Sequence, residues 1–404
     1  MKAIWPYVAT RPRGTCATVR HTFRNIGSSV IAVGRPVVHV AGTACMLAYA
    51  AMADSGRDGS LTDVPGFRVG HATDARGLTG CTVILCGDGA VPGIDVSGMA
   101  TGLRDPGPCD PCHLVPAVHA LFLSGGSAYG LDAAAGVMSF LEERRVGFRL
   151  REAIVPIVPA AILFDLSVGD PRSRPGPAMA RRACGNASSA PVAQGNVGAG
   201  TGATVGKLHG MTRAMKTGLG SASARRGALV VGALAAVNAW GDVIEPETGR
   251  IVAGLRDSGR GTRRIGMAAA LRNGALPTER SPGRHPKTRV TRPHGDPDAV
   301  RPRGGSRVPA STTLGVVATN ARLGKVEASA VARLAQVAYA RCISPVATRF
   351  DGDVIFCLSR GDVRADSLVV GMLAIEALQE AILRAAVRAR GLPGLPAACD
   401  LDAV

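Results

Sequence analysis

Apolar runs and polar turns alternate along the chain from Leu61 onward, in the manner of a protein that alternates strands and helices. Residues 117–123, which are apolar except for His119, and 228–238, which are apolar up to the final Asn238, are runs of strand length, so both predict buried strands. Residues 124–130 lead into a predicted helix that ends at the charged residues 142–145 and has four apolar side chains on one face: Leu131, Ala134, Met138 and Leu141. Residues 154–166 are apolar but contain two prolines, which predicts an edge or irregular strand.

The carboxyl-terminal quarter repeats this alternation. It predicts a strand at 312–319, a helix at 325–341, a strand at 353–359 and a long helix at 367–388. Such an order indicates an α/β fold, with residues 256–311 as the linker because they are rich in Arg, Pro and Gly.

Composition excludes several classes of protein. With 46% hydrophobic and 19% charged residues, the 404-residue chain is no disordered polyelectrolyte. Its apolar runs stay well short of the ~18 residues of a membrane span. Aromatic residues make up only 3%, which argues against a base-stacking surface for single-stranded nucleic acid.

The net charge of +17 is concentrated in two segments, because residues 1–60 and 256–311 together carry 14 of the 17 charges. We interpret this as solvated loop charge, and therefore expect neither a nucleic-acid partner nor a membrane partner. Residues 1–58 are predicted to be a disordered leader or the product of a start codon assigned too early. The ten cysteines are scattered, which favours reduced thiols and the cytoplasm.

Two motifs suggest cofactors that we do not expect. Cys109, Cys112 and His113 have the spacing of a c-type haem attachment site, but haem attachment requires export, so we predict a surface loop. No second Cys/His pair stands at the spacing of a zinc site, and we predict no metal and no cofactor. The glycine-rich loop at 198–206 lacks the Rossmann and Walker signatures and is predicted to line a site without binding a nucleotide.

Lys207 follows that loop in a chain with 5 lysines and 42 arginines. A lysine here suits a compact group with an adjustable pKa, although a surface lysine is the plain alternative. Asn238 ends the predicted strand at 228–238, where its amide could cap a turn or donate to an oxyanion.

A hydroxyl cluster, Ser311-Thr312-Thr313, follows the linker and opens a strand. It could be ordinary turn chemistry, or Thr312 could attack its own preceding carbonyl and break the chain there. The new α-amine, with a pKa near ~8, would then activate the hydroxyl. Asp351 and Asp353 could orient that hydroxyl and amine, or form an ordinary Asp-Gly turn.

With these residues, the sequence resembles the S58 peptidases, which include DmpA-type L-aminopeptidase/D-esterases, β-aminopeptidases and nylon-oligomer endohydrolases. The resemblance rests on seven blocks, at residues 61–71, 80–83, 124–132, 198–207, 237–243, 312–320 and 350–353. It implies a DmpA/ornithine-acetyltransferase-like four-layer α-β-β-α sandwich of the N-terminal-nucleophile type. It also implies autocleavage into an α fragment (59–311) and a β fragment (312–404), and assembly into a tetramer or larger homo-oligomer.

The resemblance further implies that Thr312 is the nucleophile, Lys207 and Asn238 are its site partners, and Asp351 and Asp353 orient it. This Lys–Asn–Thr set is closest to the nylon-oligomer branch. Two positions depart from the family: Ser311 stands where those hydrolases have Asn before the nucleophile, and Phe164 aligns with a tyrosine that assists the site in some members.

We therefore expect a hydrolase that cleaves small peptides, amino-acid amides or ω-amino-acid oligomers through an acyl-enzyme on Thr312. One alternative is acyl transfer to an amine acceptor, as in the ornithine acetyltransferases. The other is an unprocessed, inactive binding protein whose basic segments hold a nucleic acid or an acidic partner.

Overall fold

A computed structural model describes residues 59–277 and 311–402. The strands of these two stretches are β1 (Arg68–Asp74), β2 (Thr79–Val96), β3 (Gly102–Arg104), β4 (Val118–Ser124), β5 (Phe148–Arg149), β6 (Ile154–Val155), β7 (Ala160–Ile162), β8 (Thr204–Val205), β9 (Met215–Lys216), β10 (Leu219–Arg226), β11 (Leu229–Asn238), β12 (Asp242–Ile244), β13 (Ile251–Ala253), β14 (Thr312–Ala321), β15 (Ile343–Ser344) and β16 (Val354–Val363). The α-helices are α1 (Ala134–Glu142), α2 (Pro177–Gly185), α3 (Met267–Arg272), α4 (Lys325–Cys342), α5 (Ser367–Val387) and α6 (Ala398–Leu401). Single 3₁₀ turns occupy Leu61–Asp63, Gly107–Cys109 and Gly198–Gly200, and a longer one, Ser127–Ala133, precedes α1.

The long strand β2 joins two sheets. Its first half pairs with β1 and β4, and its second half pairs with β16, with a shift of register between Leu85 and Ala90. Gly87 and Gly89 lie in this shift with positive φ angles, which L side chains rarely adopt. The first sheet consists of β2 with its neighbours β1 and β4, followed by β7 and then β3 at the edge. The second sheet continues from the other half of β2 in the order β16, β14, β11 and β10.

Alternating side chains of the strands build two core layers. Ile84, Leu121 and Leu123 face a central core shared with Leu314 and Phe356 of the second sheet. Their neighbours along the same strands, such as Val83 and Phe122, pack outward against α1 and α2. Helices α4 and α5 cover the outer face of the second sheet. The layers are therefore α-β-β-α, as expected from the resemblance.

Most predicted elements match the structure closely. The predicted strands at 117–123, 228–238, 312–319 and 353–359 are β4, β11, β14 and β16, and the two carboxyl-terminal helices are α4 and α5. Helix α5 begins after Asp366, whose carboxylate accepts a hydrogen bond from the Leu368 N–H (2.7 Å). No helix in the described ranges is long and apolar enough to cross a membrane.

Three expectations hold only in part. Residues 154–166 form the predicted irregular strand, broken into the short strands β6 and β7. The alternative of an edge strand is wrong, because β7 lies between β4 and the edge strand β3. The first part of the predicted linker is folded: α3 lies within it, and the guanidinium of Arg256 is buried and donates to the carbonyls of Ala214, Thr212 and Gly259. Of the four side chains predicted to share the buried face, Ala134 and Leu141 of α1 are buried, whereas Leu131, in the preceding 3₁₀ turn, and Met138 are only partly buried. The predicted leader and residues 278–310 lie outside the described ranges.

Candidate active site

Three strand ends meet at one edge of the second sheet. Asn238, the last residue of β11, is the direct antiparallel partner of Thr312, the first residue of β14. Strand β16 runs parallel to β14 and is preceded by Asp351 and Asp353. The side chains of these four residues are at most 2% exposed. The topology thus brings together residues that are up to 115 positions apart in the sequence.

Lys207 reaches this edge from the loop after β8. Its backbone N–H donates to the Trp240 carbonyl (3.1 Å), and that of Gly206 donates to the Gly241 carbonyl (2.9 Å), so the loop is fixed to the chain that follows β11. Gly206 has a φ of +74°, and a Cβ there would meet the backbone of Gly254 at 2.3 Å. The end of the glycine-rich loop therefore depends on glycine to deliver the lysine.

The Lys207 ammonium has three acceptors. Its Nζ lies 2.8 Å from Asn238 Oδ1, 3.0 Å from the Asn238 carbonyl oxygen and 3.2 Å from Ser311 Oγ. Asn238 Oδ1 also accepts from the backbone N–H of Thr204 (3.1 Å), and Asn238 Nδ2 donates to the Phe164 carbonyl (2.9 Å). The amide is thereby held in one orientation, and one N–H of Nδ2 has no acceptor among the described residues.

The peptide bond between Ser311 and Thr312 lies at the centre of the site. Its carbonyl oxygen accepts hydrogen bonds from Thr312 Oγ1 (2.6 Å) and from the Gly352 N–H (2.7 Å). The Ser311 N–H in turn donates to the Phe350 carbonyl (2.9 Å). The hydroxyl predicted to attack this carbonyl is in contact with it, and a backbone donor is already directed at the oxygen.

Both carboxylates are held by backbone donors. Asp351 Oδ1 accepts from the Trp240 N–H (2.9 Å), and its Oδ2 accepts from the Thr348 hydroxyl (2.6 Å). Asp353 Oδ1 accepts from the Thr313 N–H (2.7 Å). Neither carboxylate is hydrogen-bonded to Thr312 Oγ1 in this part of the chain, so their contact with Thr312 runs through its neighbours.

Burial sets the protonation of the site. It lowers the pKa of Lys207 to about 7, against the opposing effect of the negative charges on Asp351, Asp353 and Asp165. Burial raises the pKa of Asp353 above its ordinary value, and the negative charge of Asp351 adds to that increase. An amine with a pKa near 7 is able to give or take a proton at neutral pH.

Sequence reasoning missed four groups in or next to this site: the Gly352 N–H, the Thr204 donors, and the buried side chains of Asp165 and Lys216. The first is a backbone group, which no residue pattern reveals. Lys216 could have been singled out by the same argument as Lys207, because the chain has only 5 lysines. Among the described residues no cluster of His, Cys, Asp or Glu could hold a metal ion, and Cys109 is buried while Cys112 is exposed.

Comparison with known proteins gives consistent matches. An uncharacterized aminopeptidase of Mycobacterium tuberculosis is 35% identical over 366 residues, covering 85% of this chain and 97% of that protein. A 6-aminohexanoate-oligomer endohydrolase of Kocuria sp. is 30% identical over 345 residues, covering 82% of this chain and 87% of that protein.

Two solved structures share the fold. A β-aminopeptidase of Burkholderia sp. aligns with a TM-score of 0.58 at 20% identity, over 86% of this chain and 93% of that one. The L-aminopeptidase D-Ala-esterase/amidase of Ochrobactrum anthropi, described as a variant of the Ntn hydrolase fold, aligns with a TM-score of 0.58 at 18% identity, over 85% and 92%. This confirms the predicted fold class. The model of peptidase family S58 matches residues 59–398, and the chain belongs to that family.

Proposed function

We propose that this protein is a self-processing hydrolase that cleaves amide bonds through an acyl-enzyme on Thr312. One observation carries the proposal: the carbonyl of the Ser311–Thr312 peptide bond contacts both the Thr312 hydroxyl (2.6 Å) and the Gly352 N–H (2.7 Å). Nucleophile, electrophile and an oxyanion donor therefore lie together in the unbroken chain.

Self-cleavage would proceed as an N-to-O acyl shift. Thr312 Oγ1 attacks the Ser311 carbonyl carbon and transfers its proton to Lys207, whose pKa of about 7 allows the neutral amine. The Gly352 N–H stabilises the oxyanion. The C–N bond breaks, the departing nitrogen takes a proton, and water hydrolyses the resulting ester to give a carboxylate at Ser311 and an α-amine at Thr312.

Turnover would use the same centre. The new α-amine, with a pKa near ~8, accepts the hydroxyl proton while Oγ1 attacks the substrate carbonyl. The free N–H of Asn238 and the nearby charge of Lys207 stabilise the oxyanion, and Asp351 and Asp353 hold the surrounding backbone. The amine product leaves with the proton, and water then hydrolyses the acyl-enzyme.

We propose small peptides, amino-acid amides or ω-amino-acid oligomers as substrates, with no cofactor or metal. Membership of peptidase family S58 and relatives named as an aminopeptidase and as a 6-aminohexanoate-oligomer endohydrolase support the choice of an amide. We further propose an α fragment of residues 59–311, a β fragment of residues 312–404, and a homo-oligomer. The eight cysteines of the described ranges are free, which supports a reducing compartment such as the cytoplasm.

The test compares Thr312→Ala with Thr319→Ala, which makes the same substitution further along β14. Thr319 Oγ1 bonds the Val230 carbonyl, away from the strand ends that form the site. We expect wild type and Thr319→Ala to yield a fragment beginning at Thr312, identified by intact mass and N-terminal sequencing, and to hydrolyse amide substrates. Thr312→Ala should remain one inactive chain. A processed or active Thr312→Ala protein would contradict the proposal.

Product analysis with an added amine acceptor tests the reaction type. Hydrolysis predicts the free acid as the main product even with acceptor present. Acylated acceptor as the main product would make the protein a transferase that uses the same nucleophile.

A further inference from the structure

A second buried lysine lies one strand away from the site. Lys216, in β9, is fully buried, and its Nζ donates to the carbonyl oxygens of Gly200 (3.1 Å) and Thr217. Of the three lysines in the described ranges, only Lys325 is not fully enclosed. Because a buried ammonium costs folding free energy, a methionine of similar length would fill this space at less cost. We therefore look for a role of the Lys216 charge other than filling space in the core.

Asp165 is the buried counter-charge of this region. It is 3% exposed, and its carboxylate accepts from Thr79 Oγ1 (2.6 Å) and the Gly126 N–H (2.7 Å). The structure has no direct hydrogen bond between it and Lys216 in these ranges, so the two charges act through the intervening space. The negative charge of Asp165 raises the pKa of both Lys216 and Lys207, partly offsetting the effect of burial on each. The negative charge of Asp165 thus acts on two buried lysines, Lys216 and Lys207, and Lys207 lies in the candidate active site.

Both residues border the contacts that orient Asn238. Asp165 directly follows Phe164, whose carbonyl accepts from Asn238 Nδ2 (2.9 Å). Lys216 is the β-ladder partner of Thr204, which donates to Asn238 Oδ1 through its N–H and its hydroxyl.

A further link runs through the residue after Lys216. Thr217 Oγ1 donates to the carbonyl of Val237 (2.6 Å), the residue before Asn238. The Lys216 amine also donates a hydrogen bond to the carbonyl of Gly200, which lies in the glycine-rich loop that precedes Lys207. Both ends of the Asn238 amide and the loop of Lys207 are therefore connected to these two buried charges.

We propose that Asp165 and Lys216 are positioning residues that hold the Asn238 amide and the Lys207 amine in their working arrangement. Neither touches the Ser311–Thr312 peptide bond. The inference rests on the proposed function, because it assigns these residues to the centre built around Thr312.

Asp165→Asn is the first test, since asparagine keeps the size and can still bond Thr79 and Gly126 while it removes the charge. The charged groups that act on Lys207 are Asp351, Asp353 and Asp165, together with the α-amine of Thr312 after processing. Loss of one negative charge lowers the Lys207 pKa. The limb of the pH profile of kcat/KM that reports Lys207 should therefore shift to lower pH, whether the active form is the neutral amine or the cation. Asp88→Asn, on a carboxylate that pairs with Arg360 elsewhere, should leave the profile unchanged.

Lys216→Met is the second test. Loss of the anchor on Gly200 should lower kcat by about 10²-fold, the typical cost of misplacing a catalytic group by ~1 Å, with a much smaller change in KM. Processing of the Ser311–Thr312 bond should slow in parallel. Lys325→Met removes a lysine that bonds loop carbonyls far from the site and should retain wild-type kcat.

The double variant Asp165→Asn/Lys216→Met distinguishes an electrostatic interaction between the two residues from two independent losses of folding stability. If the charges compensate one another, the double variant should be more stable than the added effects of the two single variants predict. Additive losses of stability, together with a wild-type pH profile in Asp165→Asn, would overturn the inference. If Lys216→Met does not fold, the Asp165→Asn profile decides alone. An active Thr312→Ala protein would instead contradict the proposed function, so the two failures are distinguishable.

Discussion

At the scale of single residues, Lys207 shows how burial links activity to stability. Burial lowers its pKa from 10.5 to about 7. Between these two values the unfolded chain binds more protons than the folded one, so stability should rise with pH across this window. Below about pH 7 both states are protonated and the full cost of the buried charge remains. The buried Lys207 of the candidate active site thus reduces the stability of the protein at neutral pH.

We predict that Lys207→Met stabilises the folded protein by about 1–4 kcal/mol at pH 7, because it replaces a buried amine with an apolar chain of similar length. The gain should shrink toward pH 10. Chemical denaturation should be measured in the Thr312→Ala background, so that both proteins are single uncleaved chains. Lower stability of the double variant at pH 7 would mean that the hydrogen bonds to Asn238 and Ser311 outweigh the cost of burial.

Gly352 leaves no room for a methyl group beside Thr312. A Cβ there would lie 2.7 Å from Thr312 Oγ1 and 2.6 Å from the Ala100 carbonyl oxygen. We predict that Gly352→Ala displaces the Gly352 N–H from the Ser311 carbonyl and lowers the rate of processing by at least ~10²-fold, the usual effect of losing one oxyanion donor. The rate is read from the appearance of the fragment that begins at Thr312.

Gly185→Ala is the matched control for this substitution. No atom lies within 4 Å of a Cβ at Gly185, at the end of α2. It should process at the wild-type rate. Normal processing in Gly352→Ala would show that this N–H is not an oxyanion donor.

At the scale of elements, α4 contacts the two strands, β14 and β16, whose first residues lie at the site. The hydroxyl of Tyr339, which is fully buried, lies 3.2 Å from the Thr313 carbonyl of β14 and 3.1 Å from the Val354 carbonyl of β16. Thr313 follows Thr312, the proposed nucleophile, and Val354 follows Asp353. A helix on the outer face of the sheet therefore links the strand that begins at Thr312 to the strand preceded by Asp353.

We predict that Tyr339→Phe lowers the free energy of unfolding by about 1–3 kcal/mol, since it removes a buried donor, and lowers kcat more than it changes KM. Tyr129→Phe is the control, because Tyr129 is 56% exposed and its ring stacks with Arg174. Unfolding curves and steady-state kinetics measure the two effects. Unchanged kcat in Tyr339→Phe would show that the strand ends keep their spacing without the tyrosine.

The elements that could be predicted from the sequence are those with continuous apolar runs. β11 is almost entirely such a run, β14 and β16 contain shorter ones at 314–318 and 354–358, and the ends of all three strands fall within a few residues of the prediction. For the segment around Pro156 and Pro159 the prediction of an irregular strand is correct, but the prediction of an edge position is wrong, because a proline indicates a missing N–H donor and does not specify which strands lie beside it. Here the Pro159 carbonyl still accepts from the Phe122 N–H (3.0 Å), which helps to keep β7 beside β4.

The candidate site was predictable only where a motif marked it. Thr312, Lys207, Asn238 and the two aspartates stand in recognisable blocks, and the structure brings them together. Asp165 carries no local signal, because its significance depends on Lys216 and Lys207, which approach only after the glycine-rich loop folds against the sheet. Such pairings depend on the tertiary fold, which no spacing along the chain encodes.

At the scale of the whole molecule, the proposed cleavage point divides a sheet and not a pair of domains. The order of strands in the second sheet is β11-β14-β16-β2. β11 and β2 precede Ser311, whereas β14 and β16 follow it. Each fragment therefore contributes neighbouring strands to the same hydrogen-bonded sheet, and α5 of the second fragment packs on β10 and β11 of the first.

We predict that the two fragments stay associated after cleavage and separate only when the protein unfolds. In native size-exclusion chromatography they should elute together, at the volume of uncleaved Thr312→Ala, and a denaturing gel of the same peak should show both. Because unfolding of the cleaved protein releases two chains, its Tm should rise with protein concentration more steeply than that of Thr312→Ala, which unfolds as one chain. A small fragment that leaves the complex under native conditions would contradict this, and would mean that the ladders from β14 to β11 and from β16 to β2 do not hold the cleaved protein together.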